Sequence, residues 1–343
     1  MKGRGSPENP TGRFEPLVIE PDPSEENPRP IRTEFFQDHS RSVLSTNNSP
    51  DVGFDVSLNP YRGCEHGCSY CYARPTHEYL GMSCGLDFET KIFVKAEAPE
   101  LLREALLRRS WIPQVVALSG VTDPYQPVER QLKITRRCLE VLAEFRNPVA
   151  IITKNHLVTR DLDILKELAE HRAVLVNISL TTLDRELSRV MEPRASAPQK
   201  RLEAIATLSQ SGIPVNVMCA PVIPGLTDHE LADLLKAAAQ AGAHSANYTL
   251  LRLPYGVKDL FLSWLSQHYP HHKQKVEQRL RQMRDGKLNN STFGRRMSGE
   301  GDYATTLAQM FDLFRRRYGL ASRTPAMETT AFRRVEAGQG FLF

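Results

Sequence analysis

The sequence predicts an α/β fold built on a curved parallel sheet or partial barrel, and three observations carry that prediction. Short β-branched apolar runs alternate with amphipathic stretches of ten to fifteen residues between about positions 54 and 252. The runs are apolar almost throughout rather than alternating, as expected of parallel strands buried on both faces. Counting a first strand at 55–58 gives about six βα units, too many parallel crossovers for an antiparallel sandwich.

Taken in order, the strands are expected at 55–58, 114–119 (QVVALS), 148–153 (PVAIIT), 173–180 (AVLVNISL), 214–220 (PVNVMCA) and 245–251 (SANYTLL). Helices are expected between them at 132–145, 161–171, 199–211 and 228–241. Gly212, just ahead of Ile213 and Pro214, is placed to stop the third of these. In such folds chemistry gathers at the carboxyl ends of the strands, which selects the residues to inspect.

The chain divides on composition into four parts. Residues 1–45 are rich in Pro, Glu, Asn and Ser, bury too little to offset ordering entropy, and are expected as an extended, largely disordered arm. Residues 46–255 form the barrel, 256–320 a helical basic extension with helices near 257–268, 276–283 and 303–318, and 321–343 a flexible tail. The 343 residues, 41% hydrophobic, leave room for one large core with appendages. No apolar run approaches eighteen residues, and the start, MKGRGSPENPTGRFEP, has no apolar leader, so a cytoplasmic protein with no membrane contact is expected. The net charge of +4 is unevenly spread: residues 271–343 hold 14 Lys and Arg against 7 Asp and Glu. That excess suits a nucleic-acid partner, or equally a solvated helix face.

Six cysteines are too few to staple a chain of this length, and three of them fall within eight residues. Cys64, Cys68 and Cys71 lie directly after the first strand in NPYRGCEHGCSYCYARP. Three thiolates spaced CxxxCxxC on one loop can each reach a different iron of a 4Fe–4S cube and leave the fourth iron open to an exchangeable ligand. A zinc site completed by His66 or His77 is the other metal reading of the same residues.

This loop resembles the signature of the radical SAM superfamily, CxxxCxYC after the first strand. The chain is further similar to that superfamily's spore photoproduct lyase-like branch. Together with LDFETKI, TDPYQPVER, MEPRA and LLRLP, the loop resembles a bacterial family of radical SAM proteins. The resemblance implies a partial (β/α)6 TIM-like barrel, a three-cysteine 4Fe–4S cluster and S-adenosylmethionine (SAM). It further implies a one-electron donor such as flavodoxin or ferredoxin, and reductive cleavage of SAM to a 5′-deoxyadenosyl radical. That radical would take hydrogen from a substrate, read here as a nucleic-acid base or DNA lesion, in lyase-like or transferase-like chemistry.

SAM contacts are expected at successive strand ends. Ser119, Gly120, Thr122 and Asp123 end the second strand, where small and hydroxyl residues allow close approach and can accept from an ammonium. Lys154 ends the third strand and Ser179 the fourth, and Arg194 offers a planar fork for a carboxylate. By the resemblance, Val222 and Ile223 would lay backbone against adenine, while Tyr70 and Tyr72 flank the last cysteine. Spore photoproduct lyases carry a hydrogen-donating cysteine two residues before the hydroxyl–Asp pair; that position is Gly120 here. Cys219 is therefore the candidate hydrogen donor, against its reading as a small core residue.

The last residues, with Gln339, Leu342 and Phe343, resemble the peptide by which bacterial DNA enzymes engage the replicative sliding clamp. The alternative function is a nucleic-acid-binding iron–sulfur protein whose cluster is structural or redox-sensing, without turnover.

Overall fold

The computed structural model describes residues 3–14 and 32–335. The main sheet has seven strands. Six of them run parallel: β3 (Val56–Leu58), β6 (Val116–Leu118), β7 (Val149–Thr153), β8 (Val174–Ser179), β9 (Val215–Val222) and β10 (Ser245–Leu250), in the spatial order β3-β6-β7-β8-β9-β10. β2 (Leu44–Thr46) adds an antiparallel edge beside β3, and the sheet stays open between β2 and β10. The expected partial barrel is thus observed, with six parallel strands within a residue or two of their predicted bounds.

A second, three-stranded sheet had no counterpart in the sequence reading. β4 (Tyr61–Arg62) and β1 (Glu34–Gln37) flank β5 (Lys91–Val94), which follows the short α1 (Leu86–Thr90). These strands are two to four residues long, too short for a periodicity to show. β1 belongs to the stretch expected as a disordered arm. Its backbone pairs with β5 and Phe36 stacks on Phe93, so ladder bonds and one aromatic contact order it where apolar content alone would not.

Helices α2 (Ala98–Leu107), α4 (Ile134–Phe145), α5 (Leu162–Glu170), α7 (Pro198–Gln210) and α8 (Leu231–Gln240) pack on the outer face of the sheet. The helix expected over 132–145 is preceded by a separate turn, α3 (Glu129–Leu132), because Lys133 takes a left-handed conformation. That break lets the buried Glu129 carboxylate accept the Thr135 and Arg136 N–H groups at the start of α4. A short α6 (Arg185–Met191), started by the Asp184 side chain, lies between β8 and α7. Beyond β10 the chain forms α9 (Val257–His268), α10 (Pro270–Gln282) and α11 (Asp302–Arg317); α10 starts six residues before its predicted bound, with Pro270 in its first turn.

The two faces of the sheet differ. Val149, Ile151, Val174, Val176, Val215 and Val217 belong to the large core under the helices. The inner face carries Asn177, Asn216 and Ser245 side by side. Ser245 donates to Asn216 at 2.8 Å, Asn216 to Asn177 at 2.9 Å, and Asn177 to the Ile151 carbonyl at 3.0 Å.

Candidate active site

The cysteine loop leaves β3, passes through β4 and lies over the carboxyl ends of the parallel strands. Its backbone is tied from every side. The Cys64 N–H donates to the Phe88 carbonyl, Glu65 N–H to Gln126 Oε1, and Ser69 N–H to the Met191 carbonyl. Glu65 accepts the Val128 N–H and pairs with Arg194. Gly67 has φ 64°, and a Cβ there would stand 2.6 Å from the Glu89 carboxylate, so glycine is required by both conformation and space.

Arg74 is the central fastener. It is fully buried, and its five donors reach the Cys68 carbonyl twice, the Cys84 and Gly85 carbonyls, and Glu89. Residues 3–14 close over the same loop. Gly5 and Ser6 N–H groups donate to the Glu89 carboxylate at 3.0 and 2.8 Å, and Asn9 bonds Asp87. The Gly5 backbone is so close to Gly67 that no side chain would fit between them.

Cys64 and Cys68 are buried and Cys71 partly so. Burial pushes the Cys64 thiol well up, with Asp123, Cys68 and Cys71 adding to it; burial and Glu192 do the same for Cys68. The two buried thiols, Cys64 and Cys68, held neutral by burial and neighbouring anions, become ligands only with a cation to compensate them, which iron would supply. Among the described residues no three His, Cys, Asp or Glu side chains are grouped about one metal ion. Of the two histidines of the zinc reading, His66 has both ring nitrogens engaged, by Asp123 (3.3 Å) and Asn155 (3.2 Å), while His77 engages Nε2 with the Lys91 carbonyl at 3.0 Å and, among the described residues, leaves Nδ1 buried without a partner. Thiolates on separate irons of a cube need not meet at one point as zinc ligands must, so this donor set fits the cube better. The Ser69 hydroxyl, between two of the cysteines in sequence, is buried without a partner among the described residues.

Facing the loop from the sheet are Lys154 and Ser179. Lys154 Nζ donates to Ser179 Oγ at 2.9 Å and stands 5.8 Å from the Tyr70 ring centroid. Tyr70, from the loop, donates its hydroxyl to Glu192, which also accepts from Thr181 and pairs with the fully buried Arg201. Burial alone would raise Glu192, but the Arg201 and Lys154 charges overcome it and hold the carboxyl down to about 2. Burial and Glu192 keep the Tyr70 phenol protonated, as the donor of that bond. Of the predicted SAM residues, Tyr70, Lys154 and Ser179 are brought together. Thr181, beside Ser179 at the end of the fourth strand, joins them, and Glu192 and Arg201 do so unpredicted, although Arg201 shares the buried stripe Arg201–Ala204–Ile205–Leu208 of α7, a place where an arginine calls for a buried partner.

The other predicted positions have different surroundings. β6 ends in a sharp turn with Ser119 at φ 147° and Gly120 at φ 111°, and the Gly120 carbonyl accepts the Tyr72 hydroxyl at 2.7 Å. Asp123 does not present a free carboxylate: its oxygens take the Thr153 hydroxyl and the Lys154 and Tyr125 N–H groups, with His66 alongside. Thr122 is buried, bonded to Asn59 and Tyr61. Arg194 is committed to Glu65 and Thr33 on the flank of the loop. Val222 and Ile223 are buried, and the Val222 carbonyl accepts the Leu251 N–H. Cys219 shares the outer face of β9 with Val215 and Val217, in the core under the helices and away from the inner-face residues Asn216 and Met218. Strand alternation thus turns Cys219, the candidate hydrogen donor, towards the helices. Gln339, Leu342 and Phe343 lie outside the described residues.

The family model for the radical SAM superfamily matches residues 58–238, more than half of the chain and the stretch from the last residue of β3 through most of α8. The chain belongs to the radical SAM superfamily. Membership implies SAM and a 4Fe–4S cluster as cofactors, and SAM-dependent radical enzymology in general. An uncharacterized protein of Mycobacterium tuberculosis is 40% identical over 225 residues, 65% of this chain and 66% of that protein, so the chain spans just under two thirds of this relative. An uncharacterized protein of Methanocaldococcus jannaschii is 30% identical over 178 residues, covering 52% of this chain and 64% of its own. A protein of Pseudomonas phage M6 named radical SAM Nalpha-GlyT isomerase is 26% identical over 206 residues, 60% of this chain and 40% of that one. Among solved structures, spore photoproduct lyase complexed with dinucleoside spore photoproduct aligns over 86% of each chain, with TM-score 0.59 and 15% identity. This radical SAM chain therefore has the fold of the spore photoproduct lyase-like branch. No helix among the described residues is long and apolar enough to cross a membrane.

Proposed function

We propose that this chain holds a 4Fe–4S cluster on Cys64, Cys68 and Cys71 and acts on a nucleic-acid base or lesion. The observation that carries the first half is the buried three-thiol loop, fixed by Arg74 over the ends of the parallel strands and opposite Lys154 and Ser179. When bound, the cluster supplies the electron that splits SAM into methionine and a 5′-deoxyadenosyl radical. The chain's own residues then have definable tasks. Lys154 and Ser179 offer a cation and a hydroxyl to SAM's polar groups. Tyr70, held by Glu192, covers the cluster side. Tyr72 and the turn at Ser119–Gly120 border the opening. A flavodoxin- or ferredoxin-type donor would deliver the electron. The basic residues 271–343 would meet the nucleic acid, and the tail with Gln339, Leu342 and Phe343 a sliding clamp.

The test is anaerobic reconstitution with iron and sulfide, followed by dithionite and SAM. We expect one cluster's iron per chain and formation of 5′-deoxyadenosine. A loaded cluster that never yields 5′-deoxyadenosine would return the protein to the non-catalytic iron–sulfur class. Substrate choice is checked separately by adding oligonucleotides and following their mass.

A further inference from the structure

Buried arginines in this molecule come in two kinds. Arg74 and Arg201 each meet a buried carboxylate, Glu89 and Glu192. Arg284 is equally buried, at 1% exposure, but among the described residues no carboxylate pairs with it. It donates to the Leu251 carbonyl and approaches Asn289 Oδ1 at 3.4 Å, and its Nε has no partner. Arg252, at the end of β10, likewise has no ion pair among the described residues. Its guanidinium lies 5.2 Å from the Tyr72 ring centroid and meets the weak acceptor Met297 Sδ at 3.9 Å. Arg296 completes the group, bonded to Asp51 and Ser49. Burial and Arg296 hold Arg252 below its ordinary value, and burial with Arg252 pushes Arg284 down to about 10, so Arg252 links the charges of the other two. Among the described residues these three guanidiniums share one carboxylate, Asp51, an arrangement that a poorly solvated site does not tolerate cheaply.

We propose that Arg252 and Arg296, backed by the buried Arg284, bind a phosphate oxyanion of the substrate beside Tyr72. The proposal rests on the reading of the chain as a radical SAM enzyme only for calling that ligand the substrate. The site lies next to the reaction: Tyr72 follows Cys71 and bonds the Gly120 carbonyl at the end of β6. The chemistry favours phosphate. The excess of two positive charges matches a phosphate monoester, on a mononucleotide or at the end of a strand, which is largely dianionic at neutral pH, whereas a carboxylate or an internal phosphodiester would offset one of them. The planar fork of arginine suits its oxygens. Asn289, the acceptor for Arg284, also lines an open cavity of about 620 Å3 that carries Lys258, Arg281 and Lys287 against Glu277. Further phosphates of a strand would follow that cavity, while a mononucleotide would use the arginines alone.

The test is equilibrium binding to the full chain at low salt, using inorganic phosphate, uridine 5′-monophosphate, uridine and a short single-stranded oligonucleotide. We expect the phosphate-bearing probes to bind and uridine not to. Arg252→Gln should weaken phosphate binding by about tenfold or more, and Arg252→Lys by less, because charge remains while the fork is lost. A steep fall of oligonucleotide affinity with salt would assign several phosphates to the cavity, and a shallow one a single phosphate on the arginines. Should Arg252→Gln fail to fold, judged by circular dichroism, the Lys variant carries the test in the same direction. Equal binding of uridine and its monophosphate, or unchanged phosphate affinity in the folded variant, would overturn the proposal. So would a loss of affinity confined to SAM, which would hand Arg252 to the SAM carboxylate. The assay reads binding without turnover: phosphate binding without 5′-deoxyadenosine sinks only the enzymatic reading, and 5′-deoxyadenosine without phosphate binding sinks only this one.

Discussion

On the outer face of the sheet, valines and isoleucines of β7, β8 and β9 meet the helices, and the contact is apolar packing throughout. Over the inner face and strand ends, stability comes from Arg74 with Glu89, Arg201 with Glu192 and Tyr70, and Lys154 with Ser179. The first region tolerates apolar side chains of similar volume, because dispersion and burial are not directional. The second depends on particular atoms meeting, because each buried charge left without its partner costs several kcal/mol. The difference separates what holds the molecule together from what shapes its chemistry.

The sharpest way to break that distinction is at the cysteine loop. Cys68→Ala is expected to abolish 5′-deoxyadenosine formation and to lower bound iron, measured by iron assay and absorbance after anaerobic reconstitution. Retained turnover would remove the loop from the chemistry. Next in size, Glu192→Gln should destabilise the chain by about 3–5 kcal/mol, since it strands Arg201 without a counter-charge. Urea unfolding checks this, and a cost below about 1 kcal/mol would make the inner network no more than a surface pair.

Acid should expose the same region before the apolar face. His77 is pushed down to about 4 by burial, from 6.5, so the unfolded chain takes the proton first. Its contribution is complete above about pH 6.5 and is lost as pH falls towards 4, at up to about 1.4 kcal/mol per unit. Glu192, held down to about 2, contributes fully above 4.5 and loses that contribution as pH falls towards 2. Unfolding free energies measured at several pH values should therefore decline in two successive windows; a flat profile from pH 7 to 3 would contradict both placements. The smallest effect is expected on the outer face. Cys219→Ala should cost about 1 kcal/mol and leave 5′-deoxyadenosine formation per bound cluster unchanged. A selective loss of turnover would bring Cys219 back into the site.

The same division explains what could be read from the chain. The six parallel strands were legible because most are short β-branched apolar runs set between amphipathic stretches; β10, SANYTL, is half polar and was legible from its place in that alternation. β1, β4 and β5 were not, because such short strands are fixed by their partners rather than by their own pattern. At the site, the CxxxCxxC spacing and the residues Tyr70, Lys154 and Ser179 were legible as strand-end chemistry. Glu192 was passed over for its neighbour Arg194 in Met-Glu-Pro-Arg, since nothing local tells which of the two turns inward. Asp123 and Arg194 were read as free ligands, whereas contacts from the Thr153–Lys154 segment and Glu65 had claimed them. Spacing within one segment is visible in a sequence, but competition between distant segments for one carboxylate is not.

The row formed by Asn177, Asn216 and Ser245 also limits how the strands can come together. Sliding β9 by one position along β8 would turn Asn216 towards the helices and Val215 towards the lumen. An amide would then sit in a layer with no polar neighbour, and the row would lose both of its side-chain bonds. Neighbouring valine-rich strands are interchangeable by hydrophobicity alone, so these two amides and one hydroxyl act as alignment marks that make a misthreaded sheet costlier than the native one.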